Sequence, residues 1–125
     1  MKALRIFDNI YSFNVKTGNI VQGVKYFFDP CPEIKDKRIK GITISNTIKL
    51  FYTHNFYLTL VDQNNKMLIQ DMPLIDLKDS QDNNVFRLRM FDLKNIDLNR
   101  SYFYFQDPLA SIVAVKTLFK INFYY

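Results

Sequence analysis

Ile112-Val113-Ala114-Val115-Lys116-Thr117-Leu118-Phe119-Lys120-Ile121-Asn122-Phe123-Tyr124-Tyr125 is the stretch whose reading decides the fold class. Val113, Val115, Thr117, Phe119, Ile121, Phe123 and Tyr125 alternate with Ile112, Ala114, Lys116, Leu118, Lys120, Asn122 and Tyr124. The first set is almost wholly apolar, and the second carries all of the charge, at Lys116 and Lys120. A period of two marks a strand with one side on a core and the other towards water. The odd-numbered set is expected to close a core. The even-numbered set is mixed, because Leu118 and Tyr124 sit among the lysines. No polar residues follow Tyr125, so the strand is expected to serve assembly as well as packing.

The same alternation recurs upstream. Ala3 to Val15 reads as a strand whose apolar parity switches midway, from Leu4, Ile6 and Ile10 to Tyr11, Phe13 and Val15, as at a bulge or a crossing between sheets. Lys16-Thr17-Gly18-Asn19 reads as a hairpin turn, with a return strand over Ile20 to Phe28. Asp29 to Asp36 is a loop, because Pro30 and Pro32 fix φ and remove two donors. Arg38 to Ser45 puts Ile42 and Ile44 inward, with Gly41 at a bulge or close approach. Phe56 to Val61 and Met67 to Asp71 form an antiparallel pair around Asp62-Gln63-Asn64-Asn65-Lys66. Val85 to Leu93, a single helical turn within Lys94 to Arg100, and the aromatic strand Tyr102 to Phe105 follow. Roughly eight strands at spacings of about 8–15 residues predict an all-β antiparallel sandwich or barrel. Long crossings between hairpins favour a single jelly roll. The spacing of elements argues against βαβ units.

At 125 residues the chain is expected to be one domain, residues 1–125, large enough to bury about two-thirds of its unfolded surface. Twelve Phe and eight Tyr supply the bulk, and aromatic residues suit pleated surfaces. The one cysteine, Cys31, excludes an internal disulfide. Lys2, Arg5 and Asp8 interrupt any apolar leader, and no apolar run approaches the roughly 20 residues of a membrane span, so the protein is expected to be made and used in a cytoplasm. The net charge of +5 is uneven. Residues 1–50 carry nine Lys or Arg and four Asp or Glu, whereas residues 51–125 carry eight of each. The excess gathers at Lys35, Lys37, Arg38 and Lys40, a basic patch able to make weak contact with nucleic acid or lipid headgroups. Lysines on loops and edge strands also simply discourage unwanted pairing.

Catalytic constellations are not legible. The single histidine, His54, excludes a two-His metal site within one subunit. Gly18, Gly23 and Gly41 are too scattered for a phosphate loop. Asp76, Asp79 and Asp82 lack the spacing of a calcium loop. The chain is therefore expected to be non-enzymatic, with no cofactor and no metal. Arg87 and Arg89 point the same way from one strand, about 6.6–6.8 Å apart along it, and suit carboxylates or phosphates of a neighbour. Tyr102 to Phe105 presents aromatic rings on both faces, though a sandwich strand turns only one face inward. Tyrosine combines area with a polar handle. The interface candidates are therefore Arg87, Arg89, Tyr102, Tyr104, Tyr124 and Tyr125, and a homo-oligomer is expected.

Phe-Tyr-Leu-Thr-Leu-Val-Asp (56–62), the Asn-rich turn, Met-Leu-Ile-Gln-Asp-Met-Pro-Leu-Ile-Asp-Leu (67–77), an Arg-bearing strand and the ending Phe-Lys-Ile-Asn-Phe-Tyr-Tyr (119–125) together resemble small structural proteins of tailless bacteriophages. The resemblance covers about residues 56–125 and implies a jelly-roll minor capsid or penton (vertex) protein of a virion. It implies a pentamer or trimer contacting other virion proteins, and it transfers no functional residues. Two other readings stand beside it. One is a carbohydrate- or receptor-binding sandwich using exposed aromatics such as Tyr52, His54 and Tyr57. The other is a nucleic-acid-binding barrel using the N-terminal positive charge and the rings of residues 102–105.

Overall fold

The computed structural model describes residues 9–16, 20–46, 56–77, 89–106, 112–113 and 118–125, and among these it is an all-β sandwich. The strands are β1 (Ile10–Lys16), β2 (Ile20–Val21), β3 (Tyr26–Phe27), β4 (Ile39–Asn46), β5 (Phe56–Val61), β6 (Met67–Pro73), β7 (Arg89–Leu93), β8 (Tyr102–Phe105), β9 (Ile112–Val113) and β10 (Leu118–Tyr124). Short 3-10 turns occupy Pro32–Ile34, Leu74–Leu77 and Leu98–Arg100. One four-stranded sheet runs β1-β10-β4-β7 and the other β3-β8-β5-β6, while β2 and β9 form a two-stranded ribbon. Every pairing is antiparallel.

The pairings are nested. β5 pairs β6, β4 pairs β7, β3 pairs β8, β2 pairs β9 and β1 pairs β10. Partner residue numbers add to nearly the same total in all five, from Val61 opposite Met67 at the tip to Ile10 opposite Tyr124 at the far end. The chain thus pairs as one long hairpin. Two further contacts, β10 with β4 and β5 with β8, gather the paired strands into the two sheets. At the tip, Asp62 closes the turn. Its Oδ1 accepts from the backbone N–H groups of Asn64 at 2.8 Å and Lys66 at 2.9 Å. Asn65 takes the left-handed φ of 63° that the turn requires, which asparagine tolerates.

Alternation within the strands builds the core. Phe119, Ile121 and Phe123 of β10, Ile42 and Ile44 of β4, and Leu58 and Leu60 of β5 have no exposed surface. The registers Val15↔Phe119, Phe13↔Ile121 and Tyr11↔Phe123 set the apolar side of β1 against that of β10. Phe103 on β8 packs on Tyr26, Phe28 and Phe56 within its own layer and meets Phe119 of the opposite sheet edge-on, with ring centroids 5.4 Å apart. Such pairs add roughly 0.5–1.5 kcal/mol beyond burial.

Three expectations are corrected. Among the described residues, 112–125 hold two strands in different sheets. β9 pairs with β2, β10 pairs with β1 and β4, and residues 114–117 lie outside the described residues. The expected hairpin between the first strand and residues 20–28 is absent among the described residues. β1 finds its apolar match in β10, and Ile20 to Phe27 pairs with β9 and β8. That return strand is also interrupted. Gly23 adopts φ 78°, a conformation open to glycine at little cost, and donates its N–H to the Phe105 carbonyl at 2.8 Å. The even-numbered side of β10 is less exposed than a solvent face would be, because Asn122 and Tyr124 are buried. Asn122 accepts from Ser12 Oγ at 2.7 Å and donates to Thr43 Oγ1 and Ser45 Oγ, tying β1, β10 and β4 together. The expectations for Gly41, where the register with β7 shifts, and for a helical turn before β8, at Leu98–Arg100, match the structure.

Truncating the ring that joins the layers should be costly. Phe103→Ala is expected to lower stability by about 3–5 kcal/mol in urea unfolding followed by circular dichroism. Phe27→Ala, at a ring 59% exposed, should cost about 1 kcal/mol or less.

Candidate functional site

The Tyr-Phe-Tyr-Phe sequence of β8 sends Phe103 and Phe105 into the core and leaves Tyr102 and Tyr104 on the outer side of the second sheet. Register then assembles an aromatic row. Phe27 lies opposite Tyr102, and Tyr57 lies opposite Tyr104. Ring centroids are 5.4 Å apart for Phe27–Tyr102, 6.5 Å for Tyr102–Tyr104 and 5.3 Å for Tyr57–Tyr104, the last pair stacked at 24°. Lys25 sets its ammonium 4.6 Å from the Tyr102 ring centroid. Such contacts contribute about 0.5–1 kcal/mol at exposed sites.

Asp71 on β6 completes the row. Its backbone φ is 51°, the left-handed region that residues other than glycine seldom adopt. Two bonds to Thr59 hold it there: the Asp71 N–H donates to Thr59 Oγ1 at 3.1 Å, and that hydroxyl donates back to Oδ1 at 3.4 Å. Tyr104 Oη also donates to Oδ1, at 2.9 Å. Burial, and then the hydrogen bond and charge of Asp71, push the Tyr104 phenol up to about 12.

The residues expected to form an interface do not share one surface. Tyr102 is 8% exposed and half-exposed Tyr104 is its neighbour, both on the outer side of the second sheet. Tyr124, 5% exposed, belongs to the first sheet and pairs its hydroxyl with Thr43 Oγ1 at 3.0 Å. Half-buried Tyr125 exchanges two backbone bonds with Asn9 and lies beneath the Lys37 ammonium, 5.7 Å from its ring centroid. Arg89 is part of β7, with its backbone opposite Ile42. Arg87 lies outside the described residues, as do Tyr52, His54, Asp79 and Asp82.

The basic segment is partly occupied within the chain. Arg38 grips the Asp92 carboxylate in a fork, Nε to Oδ1 at 2.5 Å and Nη2 to Oδ2 at 2.7 Å. The pair joins β4 to β7 beside Ile39↔Leu93 and holds the Asp92 carboxyl below its usual range. Lys40 is half-buried. Lys35 is exposed and lines a cleft of about 360 Å³ with Pro30, Pro32, Gln63, Leu98 and Asn99. Buried Cys31 also borders this cleft, and its Sγ donates to Glu33 Oε2 at 3.3 Å. Burial and then Glu33 push the thiol up to about 11, so Cys31 is held as the inert neutral form.

Sequence reasoning missed Asp71, Lys25 and the exposed apolar side chains. Ile10 is 57% exposed, Val21 and Val24 each 44%, and Phe27 59%. Phe27 was legible in part, since its parity opposes that of Ile20, Tyr26 and Phe28. Nothing local marks Asp71, whose conformation depends on Thr59 from the neighbouring strand. Among the described residues no His, Cys, Asp and Glu side chains group as metal ligands would, and no helix is long and apolar enough to cross a membrane. Comparison with protein families, curated proteins and solved structures gives no match.

Two titrations follow. A raised phenol favours the folded state below the ordinary tyrosine value of 10.0 and loses that contribution as pH rises through about 12. The difference in phenolate absorbance between the natural protein and Tyr104→Phe should therefore develop near pH 12, and at a somewhat lower pH when both carry Asp71→Asn, with burial still holding the phenol above its ordinary value. The Cys31 contribution runs the same way, full below the ordinary 9.0 and lost through about 11. Iodoacetamide at pH 9 should label Cys31 slowly in the folded protein and rapidly in urea.

Proposed function

We propose that this chain is a non-enzymatic jelly-roll subunit of a virion, a minor capsid or penton-type protein that assembles with copies of itself and with other virion proteins. The observation that carries the reading is the nested pairing. A jelly roll is a long antiparallel hairpin wrapped so that its strands divide between two four-stranded sheets. With β2 and β3 counted as one interrupted strand, and β8 and β9 as another, the strand orders are first-eighth-third-sixth and second-seventh-fourth-fifth. Wrapping a hairpin of four strand pairs generates this order. The likeness of residues 56–125 to tailless-phage structural proteins adds the virion to the reading.

Assembly draws support from the edges. β1 ends the first sheet and β3 ends the second. The two edges lie on the same side of the sandwich, where Phe13 meets Phe28 edge-on at 6.2 Å above a cleft of about 140 Å³ lined also by Val15 and Phe103. Ile10 on β1, Val21 on β2 and Val24 beyond it are exposed. An exposed apolar edge strand is a template for pairing with another chain. A closed ring of such contacts gives a pentamer or a trimer. Lys35 would face an acidic neighbour, nucleic acid or lipid headgroups. The virion is the expected location, after synthesis in the host cytoplasm.

Light scattering on the size-separated protein at tens of micromolar should show a closed oligomer, and Val21→Lys with Val24→Lys should reduce it to monomer without altering circular dichroism. A monomer throughout, together with particles whose protein content lacks this chain, would overturn the reading.

A further inference from the structure

β1 and β7 end the first sheet, and β3 and β6 end the second. Natural sheet edges are guarded by charge, proline, bulges or short length. β3 has two residues. β6 is bent where Asp71 takes φ 51°, its register with β5 shifts twice, and it ends at Pro73. β7 carries Arg89 and Asp92, and its register with β4 shifts between Ile39 and Gly41. Among these described edges, β1 alone keeps an unbroken register, from Ile10↔Tyr124 to Lys16↔Leu118, and its only charged residue, Lys16, stands at its end. One pair sets the direction of its backbone groups. Asn9 and Tyr125 exchange both N–H···O bonds, at 2.7 and 2.9 Å. Such pairs alternate along an antiparallel ladder, so Tyr11, Phe13 and Val15 bond to β10. Ile10, Ser12, Asn14 and Lys16 therefore turn their backbone groups away from β10, where these groups have no partner among the described residues.

We infer that β1 pairs antiparallel with the β1 strand of a second copy, about a two-fold axis at Phe13, joining two β1-β10-β4-β7 sheets into one. Self-complementarity selects the partner. With the axis at Phe13, Ile10 meets Lys16 and Ser12 meets Asn14, each in a hydrogen-bonded pair, so every outward backbone group of the strand is used. Moving the axis to Ser12 or Asn14 leaves Lys16 or Ile10 unpaired. Moving it between residues sets outward groups against inward ones and reverses the faces. The side chains match in the same register. Exposed Ser12 lies opposite exposed Asn14 on the outer side, and Tyr11 lies opposite Val15 on the core side. Half-buried Phe13 meets its own copy in a non-hydrogen-bonded pair, where side chains come closest. Ile10 to Val15 offers no charge that would select a foreign strand. An edge that pairs with itself is used up after two copies. The contact thus shares with the assembly reading only its partner, a second copy, and needs neither a virion nor a ring through Val21 and Val24. A two-stranded ladder is marginal by itself, so this contact fills above the tens of micromolar at which the ring is measured.

The test is disulfide trapping on the full chain at millimolar concentration. The chain carries Val21→Lys and Val24→Lys, which remove the ring contact, and Cys31→Ala, which removes the natural thiol. In a non-hydrogen-bonded pair the two Cα atoms at position 13 lie about 4.5 Å apart, within reach of a disulfide. The two copies of Ile10 lie about 20 Å apart along the ladder. Phe13→Cys should therefore give a covalent dimer under copper-phenanthroline oxidation, and Ile10→Cys about tenfold less or lower. Asn14→Pro removes an outward N–H that the chain's own ladder does not use, as edge strands tolerate. Added to Phe13→Cys, it should lower the yield of covalent dimer about tenfold or more and leave circular dichroism unchanged. No covalent dimer from Phe13→Cys, an equal yield from Ile10→Cys, or a yield that Asn14→Pro leaves unchanged would overturn the pairing. Ring formation is read by light scattering on the chain with its natural Val21 and Val24, so failure of one proposal leaves the other standing.

Discussion

The edge-on contact between Phe103 and Phe119 joins the two layers of this protein at their interior strands. Phe103 sits on β8, between β3 and β5, and Phe119 on β10, between β1 and β4. Each ring therefore has strands on both sides. Around Phe103 gather Tyr26, Phe28 and Phe56, so with Phe119 three other segments of the chain converge on one side chain. Close packing of this kind makes interiors intolerant of lost volume. It also fixes which residues of β8 face outward, and thereby places Tyr102 and Tyr104 on the opposite side.

The nested pairing explains why the two outer surfaces differ. Outward positions on β1, β10 and β4 carry Ser12, Asn122, Thr43 and Ser45, whose small polar groups satisfy one another across the strands. Outward positions on β3, β8 and β5 carry Phe27, Tyr102, Tyr104 and Tyr57, whose rings stack across the strands. The first arrangement uses its hydrogen-bonding capacity internally. The second retains apolar area, one unpaired carboxylate oxygen among the described residues, and a charged amine. Both ladders gain from cross-strand neighbours. Ile10 on β1, Val21 on β2 and Val24 beyond it add exposed apolar side chains.

Much of this was written locally. Alternation in Phe56 to Val61, in Tyr102 to Phe105 and in the last residues of the chain determined that they are strands and which side chains enter the core, because the pleat repeats every two residues. Pro30, Pro32 and the Asp62 to Lys66 run likewise announced their loop and turn. Partner choice was not legible. Gly18 suggested that β1 turns back on the next strand, yet β1 pairs with β10, more than a hundred residues away, since there the two apolar sides coincide. Tyr102 and Tyr124 read as free interface rings, but Phe27 and Lys25 cover part of one, and Thr43 engages the hydroxyl of the other. Asp71, ordinary in sequence, becomes distinctive only because Thr59 and Tyr104 reach it across β5 and β8. Residue type and spacing determine a strand and its two sides. Only the tertiary structure decides which strands lie together, because antiparallel pairing brings distant residues into contact through backbone groups that every residue shares.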